Sequence, residues 1–226
     1  MDEKYKNRAL RAKTIKKFIE QIQEGKETDS RSYDKLWLFV NHEYAPQRMG
    51  ELEPGQSLVL IGQIGRAAST YLAEQCGDEL RSRIHPRVVA LGREDIRVEL
   101  PEGLDAKGVY PVAEGGLFAA LNQLARDYGR GFFVEASKVL VRQETIEFSE
   151  YYDLHPWELL SGNCYVVVTE DAGSVMEACH KRQIKCSRIG HLTNDNRKVI
   201  AHAGEESLLN RARPDALLTV LKKDLQ

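Results

Sequence analysis

Apolar residues recur along this 226-residue chain with two kinds of spacing, one typical of helices and one typical of strands. In residues 3–24 they fall three or four positions apart among Lys, Arg and Glu, which predicts an amphipathic helix. A polar linker follows, and a turn with Pro54 and Gly55 marks the start of the main domain. We therefore expect a helical N-terminal extension over residues 1–52 and a main domain over residues 53–226.

The main domain mixes short apolar runs with amphipathic segments, and strands and helices do not alternate regularly. The apolar runs predict strands at residues 57–64, 109–112, 132–134, 139–141 and 164–168. Residues 185–192 and 198–201 predict a β-hairpin across the turn at 193–196. Helical spacing predicts helices at residues 66–76, 78–84, 117–128, 143–152, 157–160, 171–183 and 214–222. We expect an α+β (α/β) sandwich, in which a mixed β-sheet carries helices on one face.

Composition narrows the class of protein. Hydrophobic residues make up 42% of the chain, which is enough for a sizeable core. Basic and acidic residues nearly balance, 32 against 34, so nucleic acid is not an expected partner, and RNA binding by the basic N-terminal helix is the weakest alternative. No apolar run reaches the roughly 18 residues that span a bilayer, and residues 1–17 hold no signal-peptide core. We expect a cytoplasmic protein without a membrane partner.

The four cysteines, Cys76, Cys164, Cys179 and Cys186, are candidate metal or redox ligands. None forms a CxxC pair, and although His180 lies between Cys179 and Cys186, the clustered spacing of a zinc site is missing. Buried small hydrophobic side chains, or free thiols in a reducing compartment, explain them better than a metal site or a redox pair does. We predict no metal site and no cofactor.

A glycine turn is the strongest candidate for chemistry. Glu114, Gly115 and Gly116 stand where the strand at 109–112 should turn into the helix at 117–128. Glycine allows positive φ and close approach, and a helix N-terminus offers free N–H groups that can hold a phosphate. The alternative, of equal weight, is a turn that only lets the helix pack on the sheet, with Glu114 as a helix cap.

A second candidate segment comprises Asp153, Ser161 and Gly162, with His155 nearby. An acidic residue close to a histidine could suggest acid–base chemistry. No nucleophile is identifiable around them, and a turn with a helix cap explains Asp153 better. We therefore predict no catalytic residue, and we keep Asp153, Ser161 and Gly162 as candidates for a second part of a ligand site.

Several ordered motifs carry a resemblance to a known family. Residues 54–65 (PGQSLVLIGQIG) are similar to an opening with Pro-Gly-Asp, an apolar strand and Ile-Gly, and residues 112–121 (VAEGGLFAAL) are similar to HDVTEGGxxGAL. Residues 141–145 (VRQET) and 153–162 (DLHPWELLSG) are similar to VRxET followed by GLDPxxLxSSG. Over roughly residues 54–205 the chain resembles the C-terminal domain of the aminoimidazole ribonucleotide (AIR) synthase superfamily, in particular its carbamoyl-handling, hydrogenase-maturation branch.

The resemblance implies a sheet-and-helix sandwich that normally follows an ATP-binding N-terminal domain. In the family, that domain carries glycine- and aspartate-rich loops for magnesium and nucleotide, and it forms much of a dimer. About fifty residues precede the main domain in this sequence, and they contain no such loop. Tyr110, Pro111 and Ala113 stand where the family commonly has His, Asp and Thr, so a carboxylate and a hydroxyl that would serve a ligand are replaced.

These departures predict a stand-alone domain that has lost the ATP and magnesium site and works as a non-catalytic binding or assembly module. We expect it to self-associate as a homo-oligomer, a dimer, because the family's sheets pack across a dimer and the half that would cover them is missing. The alternative is a subunit of an ATP-dependent enzyme. A separate ATP-binding chain would complete that enzyme, and a phosphorylated ligand would sit at Glu114, Gly115 and Gly116.

Overall fold

The computed structural model describes residues 46–74, 83–94, 98–211 and 213–223. Of these, Pro46–Val220 form one compact unit. The helix predicted at 3–24 lies outside the described residues, as do Cys76 and most of the helix predicted at 78–84. The proposed division at residue 52 therefore stays a prediction.

One mixed β-sheet organises this unit. Within the described residues its eight strands are β1 (Gln47–Arg48), β2 (Ser57–Ile61), β3 (Gly108–Pro111), β4 (Phe132–Glu135), β5 (Tyr165–Thr169), β6 (Cys186–Leu192), β7 (Lys198–His202) and β8 (Glu205–Leu208). They lie side by side in the order β1-β3-β5-β2-β6-β4-β7-β8. Neighbouring strands run antiparallel except β4 and β7, which run parallel. The predicted mixed sheet is confirmed.

Helices connect most of the strands. The six α-helices of the described residues are α1 (Arg66–Glu74), α2 (Pro86–Gly92), α3 (Gly116–Tyr128), α4 (Gln143–Tyr152), α5 (Ala172–Lys181) and α6 (Leu217–Lys223). Two short 3₁₀ segments follow β4 and α4, at Ala136–Lys138 and Pro156–Glu158. The bounds of α4 coincide with the predicted ones, and Leu117, Leu121 and Leu124 form the buried face of α3 at helical spacing.

Helices cover both faces of the sheet. On one face, Leu121 of α3 belongs to the same buried cluster as Leu58 and Leu60 of β2. On the other face, Cys179 of α5 is buried together with Val59. All five residues of β2 are buried because its side chains alternate between two covered faces. The α+β class is confirmed, and α5 adds a helical layer on the face that the sequence analysis left uncovered.

The predicted hairpin of residues 185–192 and 198–201 is wrong, because β4 lies between β6 and β7. The backbone of Gly131, just before β4, explains the insertion. Its N–H donates to the Asp195 carbonyl at 2.6 Å, and its carbonyl accepts from the Thr193 N–H at 3.1 Å. The connection after β6 therefore bonds to the start of β4 instead of closing on itself.

Two further differences concern short segments. The strand predicted at 139–141 is wrong: Val141 makes only an isolated bridge with Ile64, and a 3₁₀ turn precedes it. Strand β8 was not predicted, since its sequence Glu-Glu-Ser-Leu has little apolar content and all four residues are exposed. It pairs with β7 and ends the described sheet.

A buried charge cluster joins the starts of α1 and α4. The Arg66 guanidinium donates to the Glu144 carboxylate at 2.5 Å, and Arg142 pairs with the same carboxylate. Arg142 also pairs with Glu94 at 3.1 Å. Burial, followed by the nearby charge of Arg142, lowers the pKa of Arg66. The Glu144 side chain is 1% exposed and that of Glu94 is 50% exposed, so Glu144 is the main counter-charge inside the fold.

We expect the substitution Glu144→Gln to lower the free energy of unfolding by about 3 kcal/mol, because two guanidinium groups lose their shared buried carboxylate. Glu94→Gln is the matched control and should cost less than about 1 kcal/mol, because that carboxylate is half-exposed. Chemical denaturation followed by circular dichroism measures both. Equal effects of the two substitutions would contradict the role of Glu144.

Candidate functional site

The glycine turn lies between β3 and α3, as predicted. Gly115 precedes the helix with a φ of 70°, and Gly116 begins it with a φ of 65°. A Cβ on Gly116 would lie 2.3 Å from the carbonyl oxygen of Trp157 and 2.8 Å from the backbone nitrogen of Leu159. Both the positive φ and this backbone contact require glycine at residue 116. The turn thus lets α3 pack closely on the segment that follows α4.

The backbone of the turn already has a hydrogen-bond partner from the same chain. The Gly115 N–H donates to Oδ2 of Asp215 at 2.8 Å, and Oδ1 of Asp215 accepts from the Leu217 N–H at 3.0 Å. The neighbouring Ala216 N–H donates to the Glu158 carbonyl at 3.0 Å. One carboxylate therefore serves the start of α6 and the start of α3 at once.

Two acidic side chains are buried at this turn. Glu114 is 8% exposed, and neither of its carboxyl oxygens has a hydrogen-bond partner in the described structure. Burial raises the pKa of Glu114 to about 8, with a smaller contribution from Asp215. Burial also raises the pKa of Asp215 to about 7, opposed by the N–H groups of Gly115 and Leu217 and assisted by Glu158. Both buried carboxyl groups therefore release their protons at a higher pH than exposed carboxyl groups do.

The structure brings two members of the second candidate segment to the same place. The Ser161 hydroxyl accepts from the Gly65 N–H at 2.8 Å and donates to the Leu159 carbonyl at 3.1 Å. The Ser161 N–H donates to the Ala113 carbonyl at 3.3 Å, and the Gly162 N–H donates to the carbonyl of residue 112 at 3.0 Å. Ser161 and Gly162 thus brace the strand end before the glycine turn.

Asp153 and His155 have local roles. Asp153 is exposed and ends α4 with a φ of 54°. The exposed His155 ring accepts the Trp157 N–H through Nδ1 at 3.3 Å, which caps the 3₁₀ segment. Its ring centroid lies 5.2 Å from that of Phe118, which lies 5.4 Å from that of Trp157. Capping and packing account for these side chains.

Sequence reasoning missed Asp215 as a member of this site. The signal available was Pro214-Asp215 ahead of an apolar run, which predicts a helix start with an acidic cap. That pattern predicts the hydrogen bond that the Leu217 N–H donates to Asp215. It cannot give the bond to Gly115, which lies 100 positions earlier in the chain.

Three of the cysteines, Cys164, Cys179 and Cys186, lie within the described residues. Among the described residues, no group of three or more His, Cys, Asp and Glu side chains is arranged to hold a metal ion. Cys179 is fully buried, and burial raises its pKa to about 12, with a smaller contribution from the neighbouring Cys186 thiol. Burial likewise raises the pKa of Cys164. Separately, none of the helices in the described part of the chain is long and apolar enough to cross a membrane.

The described residues form an α+β sandwich protein with a Glu-Gly-Gly turn at the start of a buried helix. Comparison with known proteins identifies its family. The family described as "AIR synthase related protein, C-terminal domain" matches residues 53–203. The chain therefore belongs to this family, and the resemblance seen in the sequence is confirmed.

The curated relatives lie in two groups. Over 159 residues the chain is 29% identical to phosphoribosylformylglycinamidine synthase subunit PurL of Methanopyrus kandleri, covering 63% of this chain and 21% of that protein. Over 125 residues it is 28% identical to carbamoyl dehydratase HypE of Rhodobacter capsulatus, covering 54% and 36%. The chain thus spans about a fifth to a third of the length of these relatives.

Solved structures confirm the fold. The hydrogenase maturation protein HypE in complex with ATP superposes with a TM-score of 0.56 at 19% identity, over 74% of this chain and 54% of that one. HypE in a HypE–HypF complex gives a TM-score of 0.52 at 18% identity, over 71% and 54%. These structural similarities show the fold, and the curated relatives include both PurL and HypE proteins.

We expect Gly116→Ala to destabilise the fold by at least about 2 kcal/mol, because a Cβ there would collide with backbone atoms and the residue keeps a positive φ. Gly129→Ala is the matched control: its φ is 76°, but nothing lies within 4 Å of the added Cβ, so about 1 kcal/mol of backbone strain remains. Urea denaturation of both variants measures the difference. Equal losses would show that the contact with Trp157 is unimportant.

We expect the free energy of unfolding to fall as pH rises from about 5 to 8. The native protein holds protons on Glu114 and Asp215 through a pH range where the unfolded chain has released them, because both folded-state pKa values are raised. Glu114→Gln should be similar in stability to the wild type near pH 5 and more stable at pH 8. Urea midpoints at pH 5, 6.5 and 8 measure this.

Glu150→Gln is the control for that comparison, because Glu150 is an exposed glutamate of α4 and should leave the wild-type pH profile unchanged. An identical pH dependence in the wild type and in Glu114→Gln would contradict the assignment of a buried, proton-binding carboxyl group to Glu114.

Proposed function

We propose that this chain is a non-catalytic binding or assembly module of the AIR synthase-related family. The observation that carries the proposal is the hydrogen bond from the Gly115 N–H to the Asp215 carboxylate. A helix N-terminus attracts phosphate through free N–H groups and the helix dipole. Here a carboxylate of the same chain accepts the Gly115 N–H, and the buried Glu114 lies beside it.

The residues before the turn support the same proposal. Tyr110 and Ala113, which replace polar residues of the family pattern, are 1% and 5% exposed, and Tyr110 belongs to the core beneath α3. The Ala113 carbonyl accepts the N–H groups of Gly116 and Ser161. These positions contribute to packing and backbone pairing, which is the chemistry of a scaffold rather than of a group-transfer site.

An assembly role fits what the solved relatives are seen to do. The HypE–HypF complex shows a family member bound to a partner protein, and this chain spans about half of that HypE. We propose that this chain likewise works in an assembly, as a homodimer, and that it does so in the cytoplasm. Its contribution would be the rigid sheet and its helical cover.

A second candidate function rests on a different observation. The Glu-Gly-Gly turn keeps positive φ at both glycines, and the Glu114 carboxyl group is buried without a hydrogen-bond partner in the described structure. A site that keeps this geometry could belong to an enzyme completed by a separate ATP-binding chain. A HypE structure with bound ATP supports this alternative.

Two measurements on this chain separate the candidates. Isothermal titration with ATP plus magnesium, and separately with inorganic phosphate, should give no saturable binding below about 1 mM if the chain is an assembly module. Light scattering should report a dimer. Micromolar binding of either probe would favour the enzyme subunit, and a monomer at all concentrations would contradict self-association.

A further inference from the structure

Asp215, from a later segment of the same chain, binds the backbone of the glycine turn. Asp215 lies beyond residues 53–203, which match the family, so the matched domain does not include the group that bonds to Gly115. Ala216, Leu217, Leu218 and Val220 are each no more than 8% exposed. The apolar side chains of the segment 213–220 are therefore buried, and the Asp215 carboxyl group bonds the segment to the turn.

We infer that residues 213–220 act as a built-in ligand of the glycine turn whose binding is controlled by protonation. The segment stays bound while at least one of Glu114 and Asp215 is protonated, and it is released when both are ionised. Release would free the Gly115 N–H at the N-terminus of α3. The inference rests on the proposed function in one respect: it treats this turn as the place where the chain's binding behaviour is regulated.

The charges around the pair favour this control. The groups that face it are Glu114 before α3, Asp215 itself, and Glu158 on the 3₁₀ segment, with the exposed Arg213 3.8 Å from the Glu158 carboxylate. A single negative charge on Asp215 is stabilised by the N–H groups of Gly115 and Leu217. A second charge on the buried Glu114 has no hydrogen-bond donor in the described structure and is repelled by the first.

The geometry also explains why release should be local. The bond from the Gly115 N–H joins the segment to the turn, whereas the bond from the Leu217 N–H lies within the segment, so release breaks the bond at Gly115. By contrast, the eight-stranded sheet and the Arg66–Glu144 pair do not involve this carboxyl group. Ionisation of the acid pair should therefore open the segment well before the domain unfolds.

Hydrogen exchange on the full chain tests the inference. Protection of peptides that contain Gly115 and Leu217 should fall at least tenfold between pH 6 and pH 9, after correction for the intrinsic base-catalysed rate, while a peptide from β2 stays protected. That tenfold change corresponds to about 1.4 kcal/mol of local stability. In Glu114→Gln the second charge cannot form, so protection should stay high at pH 9. Protection that is equal at both pH values in the wild type would overturn the inference.

Two further variants keep the result interpretable. Asp215→Ala should expose both N–H groups at pH 6 without loss of protection in β2, and Glu150→Gln should behave as the wild type. If Asp215→Ala unfolds the whole chain, Asp215→Asn replaces it, since its amide oxygen can still accept one N–H and the pH dependence should be lost. A pH dependence that survives in Asp215→Asn would overturn the role of the pair.

The outcomes also separate this inference from the proposed function. Tight binding of ATP at pH 7, with residues 213–220 still protected from exchange, would contradict the assembly module and would leave the inference about residues 213–220 standing. If the hydrogen-exchange protection of residues 213–220 does not change with pH, in a dimer that binds no phosphate, the inference about this segment is overturned and the assembly module still stands. Inorganic phosphate bound by Asp215→Ala, and by the wild type only at pH 9, would support control of access to the turn.

Discussion

The contact between the Gly116 backbone and the Trp157 carbonyl is the constraint on which the rest of this region depends. It lets the first turn of α3 lie against the segment that follows α4, with no side chain between them. The next residues of that segment carry Ser161, which receives the N–H groups of Gly65 and Ala67 at the start of α1. One close backbone approach therefore places two helices and the end of β3.

The same turn places two buried carboxyl groups beside the N-terminus of α3. The backbone geometry that offers an anion site is present, yet the groups that surround it are acidic and buried. A carboxyl group that is buried without a hydrogen-bond donor costs stability, so Glu114 is not explained by the needs of the fold alone.

Local patterns in the sequence predicted the local elements, and contacts between distant residues set the limit. Helix α4 was placed correctly because the spacing of its apolar residues is helical. The Glu-Gly-Gly turn was found because two adjacent glycines between a strand and a helix indicate a tight turn. The hairpin failed because adjacency along the chain does not reveal that β4 inserts between β6 and β7. Asp215 was missed for the same reason: nothing near it in the sequence indicates a partner at Gly115.

The position of β4 between β6 and β7 has a consequence for how the chain is made. When β4 leaves the ribosome, neither of its two partners has been synthesised, and its parallel pairing with β7 waits for about sixty more residues. Its unpaired edge is then a site for wrong pairing with other chains. The part of the sheet formed by β6, β4 and β7 is thus among the last to close, because β4 can pair only after residues 186–202 have been made.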